Sequence, residues 1–381
     1  MRESYLVFGS PLIGEEEIAE VLATIHSGWL GTGPKTHLFE RRFAEYTGSA
    51  LCVATSSCTA ALHLAMLAAG IGDGDEVIVP AMTFAATANA VLHAGATPVF
   101  ADVGEDDMNL DLEQVRRRIT RRTRAVLPVH FHGRPVDCAG LRALAHEHGL
   151  LVIADAAHAI EARWGGRPVA AWADLTCYSF YVTKNVTTVE GGMVATERRD
   201  WADAIKVRGL HGLSADAWSR YSDEGFKHYQ VVALGFKYNM TDLQASFGLH
   251  QLARVEENLA RREEIWAAYD RGLVGLPLRL PPAPAPGTRH ARHLYAVRTT
   301  PDSPVGRDRL MAELHRRNVG TGVHYTALHL HPFYAERLGH GPGDFPASES
   351  IGDTTLSLPL SAALTDADVE DVIAALREVL S

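Results

Sequence analysis

Leu150–Ile160 reads LLVIADAAHAI, an unbroken apolar run that stops on one carboxylate, Asp155, and passes into small residues. A strand that is apolar on both faces belongs inside a sheet covered on both sides, the setting of parallel strands joined by helices. EVIVP at Glu76–Pro80, PVFADV at Pro98–Val103 and AVLPVHF at Ala125–Phe131 have the same form, and an apolar strand follows at Leu175–Phe180. Helical intervals separate these runs, from Thr59 to Ala69 and from Asp137 to His148. The alternation, sustained from Ser56 to Thr196, predicts an α/β domain with a parallel sheet. Strand carboxyl ends face the ligand crevice of such a sheet, so Asp155 is aimed at whatever binds there.

Composition narrows the function. The chain has 381 residues, 46% hydrophobic and 22% charged, which excludes disorder and a small disulfide scaffold. Its formal charge of −10, from 36 basic and 46 acidic residues with no long basic block, argues against binding nucleic acid. Cys52, Cys58, Cys138 and Cys177 form no CxxC pair and read as reduced thiols of a cytoplasmic protein. The first residues lack the charged and apolar regions of a signal peptide, and no apolar run reaches about 18 residues, so no membrane span is expected.

From Asp242 the sequence DLQASFGLHQLARVEENLARREEIWAAYDRGL reads as one long amphipathic helix able to bridge two domains. The proline-rich stretch Leu276–His293 reads as a loop. HLYAVRT, a helix near Arg307–Arg317, VGTGVHY and a last helix after Thr365 suggest a small α+β unit. The expected division is 1–245, a large α/β domain with an N-terminal segment, and 246–381, a smaller C-terminal domain joined through the long helix.

Four segments carry chemistry. In DLTCYSFYVTKNVTTVEGGMVAT, Asp174–Thr196, a strand runs into a polar turn holding Lys184, then into a Glu-Gly-Gly turn and a further strand. Asp155 needs a partner if buried, and a pyridinium nitrogen suits it because the carboxylate keeps that nitrogen protonated; capping the following segment is its plainer role. ATSSCTAALHLA puts Ser56, Ser57, Cys58 and Thr59 at a helix start, where backbone N–H groups suit a phosphate. PAMTFAATANA puts Phe84 after a strand, where it could stack on a flat ring or simply fill the core. Together these are the parts needed to hold pyridoxal phosphate as a Schiff base.

The chain resembles fold-type I pyridoxal-phosphate enzymes of the DegT/StrS family, aminotransferases acting on nucleotide-linked keto-sugars. The matching segments run almost end to end: SGWLGTGP, SSCTAALHLA, GDEVIVPAMTFAATANA, PVHFHGRPVD, IADAAHA, SFYVTKN with EGG, LHGL, GFKYNMTDLQA, GTGVHY with HPFY, and SLPL before LTDADV. The resemblance implies an aspartate-aminotransferase-like fold, with a large domain on a mixed, mostly parallel sheet and a smaller α+β C-terminal domain. It implies that Lys184 binds the cofactor covalently, Asp155 pairs with the ring nitrogen, Phe84 stacks on the ring and His158 lies near its phenolic oxygen. The phosphate would be held at Cys58, by the Thr59 and Ala60 amides and by the Ser179 hydroxyl, with Asn239 reaching the phosphate of a neighbouring subunit in a homodimer. Trp29, Lys35, His324, Tyr325 and His329 would meet the sugar nucleotide.

LHGLSADAWSR, Leu210–Arg220, and TGPK are similar to the subgroup that aminates C4 of a UDP-linked 4-keto sugar, with L-glutamate as donor and a ping-pong cycle through the pyridoxamine form. Phe84 stands where that subgroup carries tryptophan, and Val189 where glycine or alanine is usual; a dTDP-linked sugar, or amination at C3, remains open. The sugar dehydratases of this fold carry histidine at the lysine position, so Lys184 argues against that reaction. A cofactor-binding regulator without turnover is the rival from another class, and a nicotinamide dehydrogenase lacks its GxGxxG here. His130 and His132, alternating on what reads as a strand, and His324, His329 and His331 read as polar pocket lining; no metal is expected.

Overall fold

The computed structural model describes residues 2–214 and 229–381. Strands β1 (Leu51–Thr55), β2 (Glu76–Pro80), β3 (Thr97–Ala101), β4 (Thr123–Val126) and β5 (Leu151–Asp155) come first, then a short hairpin, β6 (Arg163–Trp164) and β7 (Arg167–Pro168), then β8 (Leu175–Ser179) and β9 (Gly192–Thr196). Seven of these form one sheet in the order β1-β9-β8-β5-β4-β2-β3. Neighbours from β8 through β5, β4 and β2 to β3 pair in parallel. β9 runs antiparallel to both β8 and β1. The sheet is therefore mixed, and the single reversal matters: β8 delivers the chain to the carboxyl edge and β9 takes it straight back, leaving the Lys184 loop on that edge.

The strands are as buried as their composition demands, with Val77, Ile78, Val79, Val126 and Ile153 fully covered. Each such side chain contributes roughly 1.5–3 kcal/mol by leaving water. The helix Cys58–Ala68 supplies Ala61, Leu62, Leu64, Ala65 and Met66 to the core that holds Val77, Val79 and Ile153, while Ile78 and Val126 pack in a separate cluster.

Three local expectations need correction. The run Ala125–Phe131 stays a strand only to Val126, because Pro128 has no N–H for the ladder. Beyond it Val129 makes an isolated bridge to Asp155, and Phe131–Gly133 is a 3₁₀ turn. His130 and His132 thus do not share a strand face: His130 Nδ1 accepts from the Val136 N–H (3.2 Å), and His132 sits at φ 57° inside the turn. The long helix is two, Asp242–Ala253 and Val255–Gly272, which meet at Arg254 (φ −102°, ψ 8°). The bend has a packing cause. Ala245, Leu249 and Leu252 join Phe39 and Phe43 in one core, whereas Ile265, Trp266 and Tyr269 join Leu310, Leu314, Leu356 and Leu376 in another. Arg254 is fixed at the bend by Glu16 (3.0 Å) and by the fully buried Glu17. The proline-rich stretch, expected as loop throughout, contains β10 (Leu278–Arg279) and β11 (Thr288–Arg289).

β10 pairs with β12 (Tyr295–Thr299), which pairs with β13 (Thr355–Leu358), giving an antiparallel three-stranded sheet. Helices Arg307–Arg316 and Asp366–Leu380 pack on it, the latter opened by a Thr365–Asp368 capping box. β11 pairs instead with β6, tying the proline-rich stretch to the region just after Asp155. No helix among the described residues is long and apolar enough to cross a membrane.

Candidate active site

A cavity of about 490 Å³ opens where β2, β5 and β8 end and β9 begins. Lys184, Asp155, His158, Phe84, Cys58, Thr59, Ser179, His324 and Tyr325 all line it. The fold thus gathers residues from five separate stretches of chain at one sheet edge.

Lys184 lies in the β8–β9 loop. That loop is closed at its base by two hydrogen bonds of 2.9 Å, Phe180 N–H to the Gly191 carbonyl and Thr188 N–H to the Phe180 carbonyl. Gln244 Nε2 donates to the Glu190 carbonyl (2.8 Å), fastening the loop to the helix that Thr241 and Gln244 cap. Burial lowers the Lys184 ammonium pKa to about 8, although the Cys58 thiol and Asp155 oppose the shift. Near neutral pH a useful fraction is therefore free amine.

Asp155 ends β5 with only 5% of its surface exposed. Thr87 Oγ1 donates to its Oδ2 (2.9 Å) and the Ala157 N–H to its Oδ1 (3.0 Å). Burial raises its pKa, opposed by those two donors and by the Lys184 charge. A buried carboxylate with only neutral hydrogen-bonding partners fits a cationic N–H delivered by a ligand.

The helix Cys58–Ala68 presents its amino end to the same cavity. First-turn N–H groups have no partner within a helix, so those of Cys58 and Thr59 suit a phosphate. Ala60 differs from expectation: its N–H is already taken by the Ser57 hydroxyl (3.1 Å), and it does not line the cavity. Gly192 must be glycine here, since a Cβ would lie 2.5 Å from the Ser57 carbonyl and 2.7 Å from the Cys58 nitrogen. Ser179 lies opposite, at the end of β8, and Phe84, 57% exposed, caps the helix Ala85–His93 with its ring 5.6 Å from that of Tyr325.

Pyridoxal phosphate fits these residues. Lys184 offers the amine, Asp155 lacks the cation it would pair with, Cys58 and Thr59 offer amides, and Phe84 offers an open aromatic face. His158 Nδ1 is buried in the cavity wall without a partner, a further sign of a polar ligand.

Imidazoles of His158, His293 and His324 form one wall, with His132 packed behind it. His158 and His293 pack with ring centroids 4.5 Å apart, His132 stacks on Phe131, and His324 Nδ1 meets Ser357 Oγ (2.9 Å). Burial lowers the pKa of all four, to about 3 for His132 and His324, so all are neutral at pH 7.

Some expected contacts lie elsewhere. His329 is fully buried outside the cavity, with its Nε2 at 3.0 Å from Glu349 Oε1. Lys35 Nζ is held by Glu20 Oε1 (2.5 Å) and Thr24 Oγ1 (2.7 Å), and Trp29 Nε1 donates to the Thr32 carbonyl (3.2 Å); neither lines the cavity. Asn239 lines a separate cavity of about 160 Å³, donating to Thr32 Oγ1 (2.7 Å) and accepting from Lys237 Nζ (2.7 Å). The DAW part of LHGLSADAWSR lies outside the described residues.

Reading the sequence missed Thr87, His293 and Asn185. Thr87 lies in the first turn of the helix Ala85–His93, four residues after Thr83, whose hydroxyl it meets at 2.8 Å. His293 comes from the proline-rich stretch, and nothing local in HARH points to the cavity.

Residues 11–377 match the DegT/DnrJ/EryC1/StrS aminotransferase family. The chain is 45% identical to the spore coat polysaccharide biosynthesis protein SpsC of Bacillus subtilis over 381 residues, covering 100% of this chain and 98% of that one. The PLP form of Streptococcus pneumoniae Spr1654 superposes with a TM-score of 0.91 at 32% identity, covering 99% of this chain and 100% of that chain; its PMP form gives 0.92 at 33%, covering 98% of each. Helicobacter pylori PseC, an aminotransferase involved in the biosynthesis of pseudoaminic acid, gives 0.91 at 25% identity and 99% coverage of both chains.

Proposed function

The chain belongs to the DegT/DnrJ/EryC1/StrS aminotransferase family and is a pyridoxal-phosphate-dependent sugar aminotransferase, and from that premise we propose that it moves the amino group of L-glutamate to C4 of a UDP- or dTDP-linked keto-sugar, releasing 2-oxoglutarate. The observation that carries the reading is the pairing, across one cavity, of a lysine amine held near pH 8 with a buried carboxylate that has no cation of its own. TGPK and the LHGL segment support the choice of C4.

When bound, the cofactor supplies a carbon at which one amine exchanges for another and a protonated ring that takes up an electron pair. Asp155 holds the proton on the ring nitrogen, steadied by Thr87 and the Ala157 N–H. Lys184 would hold the cofactor, and its Nζ, when free and neutral, would take the proton from the donor α-carbon and return a proton at the sugar carbon in the second half-reaction. Cys58 and Thr59 amides and the Ser179 hydroxyl hold the phosphate, and Phe84 covers one face of the ring. The neutral imidazole wall offers hydrogen bonds without charge, suited to sugar hydroxyls.

A homodimer completes the reading, with Asn239 serving the neighbouring subunit. Ile18, Leu22 and Ile25 support it: they recur at helical spacing along the helix Glu15–Ser27, and they are exposed in the single chain, as is Trp29 just past the helix end. The four free thiols support a reducing compartment, the cytoplasm.

The test is the absorbance of the cofactor-loaded protein. Glutamate is expected to bleach the yellow band, and a UDP- or dTDP-linked 4-keto sugar to restore it with formation of an amino-sugar. Restoration only by 3-keto sugars would move the assignment to C3. A band indifferent to glutamate and to other amino donors would leave the regulator reading.

A further inference from the structure

His293 lies in the cavity wall more than a hundred residues after Lys184, and its hydrogen-bonding state can be deduced from its neighbours. Asn185, next to Lys184, has both amide hydrogens committed: Nδ2 donates to Glu161 Oε2 (2.8 Å) and to the Ala291 carbonyl (2.9 Å). Glu161 is itself buried and paired with buried Arg262, and the Ala291 carbonyl can only accept. The Asn185 amide is therefore fixed in one orientation, with Oδ1 turned towards His293 Nδ1 at 2.9 Å. An oxygen that only accepts requires Nδ1 to carry the hydrogen, so Nε2 is left as a bare lone pair.

We propose that His293 Nε2 is a fixed hydrogen-bond acceptor for a hydroxyl of the sugar ring, making His293 a substrate-binding residue of this aminotransferase. Nε2 has no partner within the described residues, and the His293 ring lines the cavity. The ligand at this wall is an uncharged donor. Lys184 is the only lysine or arginine among the lining residues, and the neighbouring imidazoles of His132, His158 and His324 are neutral. Burial and the Lys184 charge lower the His293 pKa as well, so its ring is neutral at pH 7 and the lone pair is available there. A carboxylate or diphosphate would be repelled by such a lone pair, whereas a hydroxyl can donate to it. The inference rests on the sugar-nucleotide reading for the class of its ligand.

The experiment is calorimetric binding to the cofactor-loaded protein, comparing UDP with UDP-glucose and dTDP with dTDP-glucose. None of these probes carries a keto group, so no turnover enters the measurement. In the wild type the hexose of one pair is expected to tighten binding by about three- to tenfold over the bare nucleotide, the worth of one neutral hydrogen bond. His293→Phe is expected to abolish that increment, while His293→Gln, which keeps an acceptor oxygen near the Nε2 position, is expected to retain it with an unchanged melting temperature. Any other pattern overturns the proposal: no increment in the wild type, an increment kept in His293→Phe, or equal loss in both variants. The glutamate-dependent bleaching is scored separately. If it fails while the hexose increment follows His293 as expected, the donor reading falls and the acceptor role stands.

Discussion

Thr87 Oγ1 donates to Asp155 Oδ2 across 2.9 Å, from the helix after β2 to the carboxyl end of β5. Thr83 Oγ1 lies 2.8 Å from Thr87 Oγ1, so a short chain of hydroxyls orients one carboxylate oxygen and leaves the other to the Ala157 N–H. The carboxylate has therefore been desolvated and aimed before any cationic partner arrives.

Desolvation without a cation has a measurable cost in the cofactor-free protein. Because the folded-state pKa of Asp155 is raised, the folded chain binds this proton more tightly than the unfolded one. The associated stability is present below the ordinary carboxylate pKa and is lost as pH rises through the folded value. Cofactor-free Asp155→Asn is accordingly expected to melt a few degrees above cofactor-free wild type at pH 7, with the gap closing towards pH 4. With cofactor bound the order should reverse, and kcat should fall by at least about a hundredfold. Equal melting temperatures at pH 7 and pH 4 would contradict the buried charge.

Lys184 gives a kinetic counterpart. Its amine is nucleophilic only when neutral, so capture of pyridoxal phosphate by the cofactor-free protein should accelerate with rising pH and level off with a midpoint near 8. Stopped-flow absorbance across pH 6 to 10 checks this. A midpoint near the ordinary lysine value of about 10.4 would mean that burial does not act on the amine. Lys184→Ala should show no yellow band at any pH.

Gly192→Ala tests the close approach of β9 to the phosphate turn. The added Cβ would meet backbone atoms of Ser57 and Cys58, which cannot swing aside as a flexible side chain could. The turn must shift, costing about 1–3 kcal/mol of stability. Cofactor affinity should fall by tenfold or more, because the displaced amides are those assigned to the phosphate. Equilibrium titration with pyridoxal phosphate reads the second effect, thermal melting the first.

Val189→Gly should stabilise. Val189 sits at φ 69°, in the left-handed region where a β-branched side chain is strained, and it is 48% exposed, so little packing is lost on its removal. The strain of roughly 1–2 kcal/mol outweighs the entropy that glycine adds to the unfolded chain, about 0.4–1 kcal/mol. A rise in melting temperature of one or two degrees with kcat unchanged is the expected result, and a fall would show the position to be unstrained.

What could be read from the sequence divides along a physical line. Asp155, Phe84 and the 58–59 turn were visible because a parallel sheet puts strand carboxyl ends at one edge, so local pattern implied location. Lys184 was visible for the same reason, helped by the Glu-Gly-Gly turn that returns the chain into β9. The bend at Arg254 was not, because the heptad-like spacing of apolar residues runs through it; only the presence of two separate cores demands it. His329 pairs with Glu349 and Lys35 with Glu20 through partners no local rule identifies, so their distance from the cavity was hidden. His293 was hidden because its place depends on β11 pairing with β6, more than a hundred residues away in the chain.

The Arg262–Glu161–Asn185 chain also sets an order on biosynthesis. A nascent chain that has left the ribosome as far as Thr196 owns every strand of the seven-stranded sheet and the lysine itself. It does not yet own the guanidinium that neutralises Glu161, the Ala291 carbonyl that Asn185 donates to, or the imidazole on Asn185 Oδ1. The residue beside Lys184 is thus seated only after about a hundred more residues have emerged, so the reactive loop is completed well after it was synthesised.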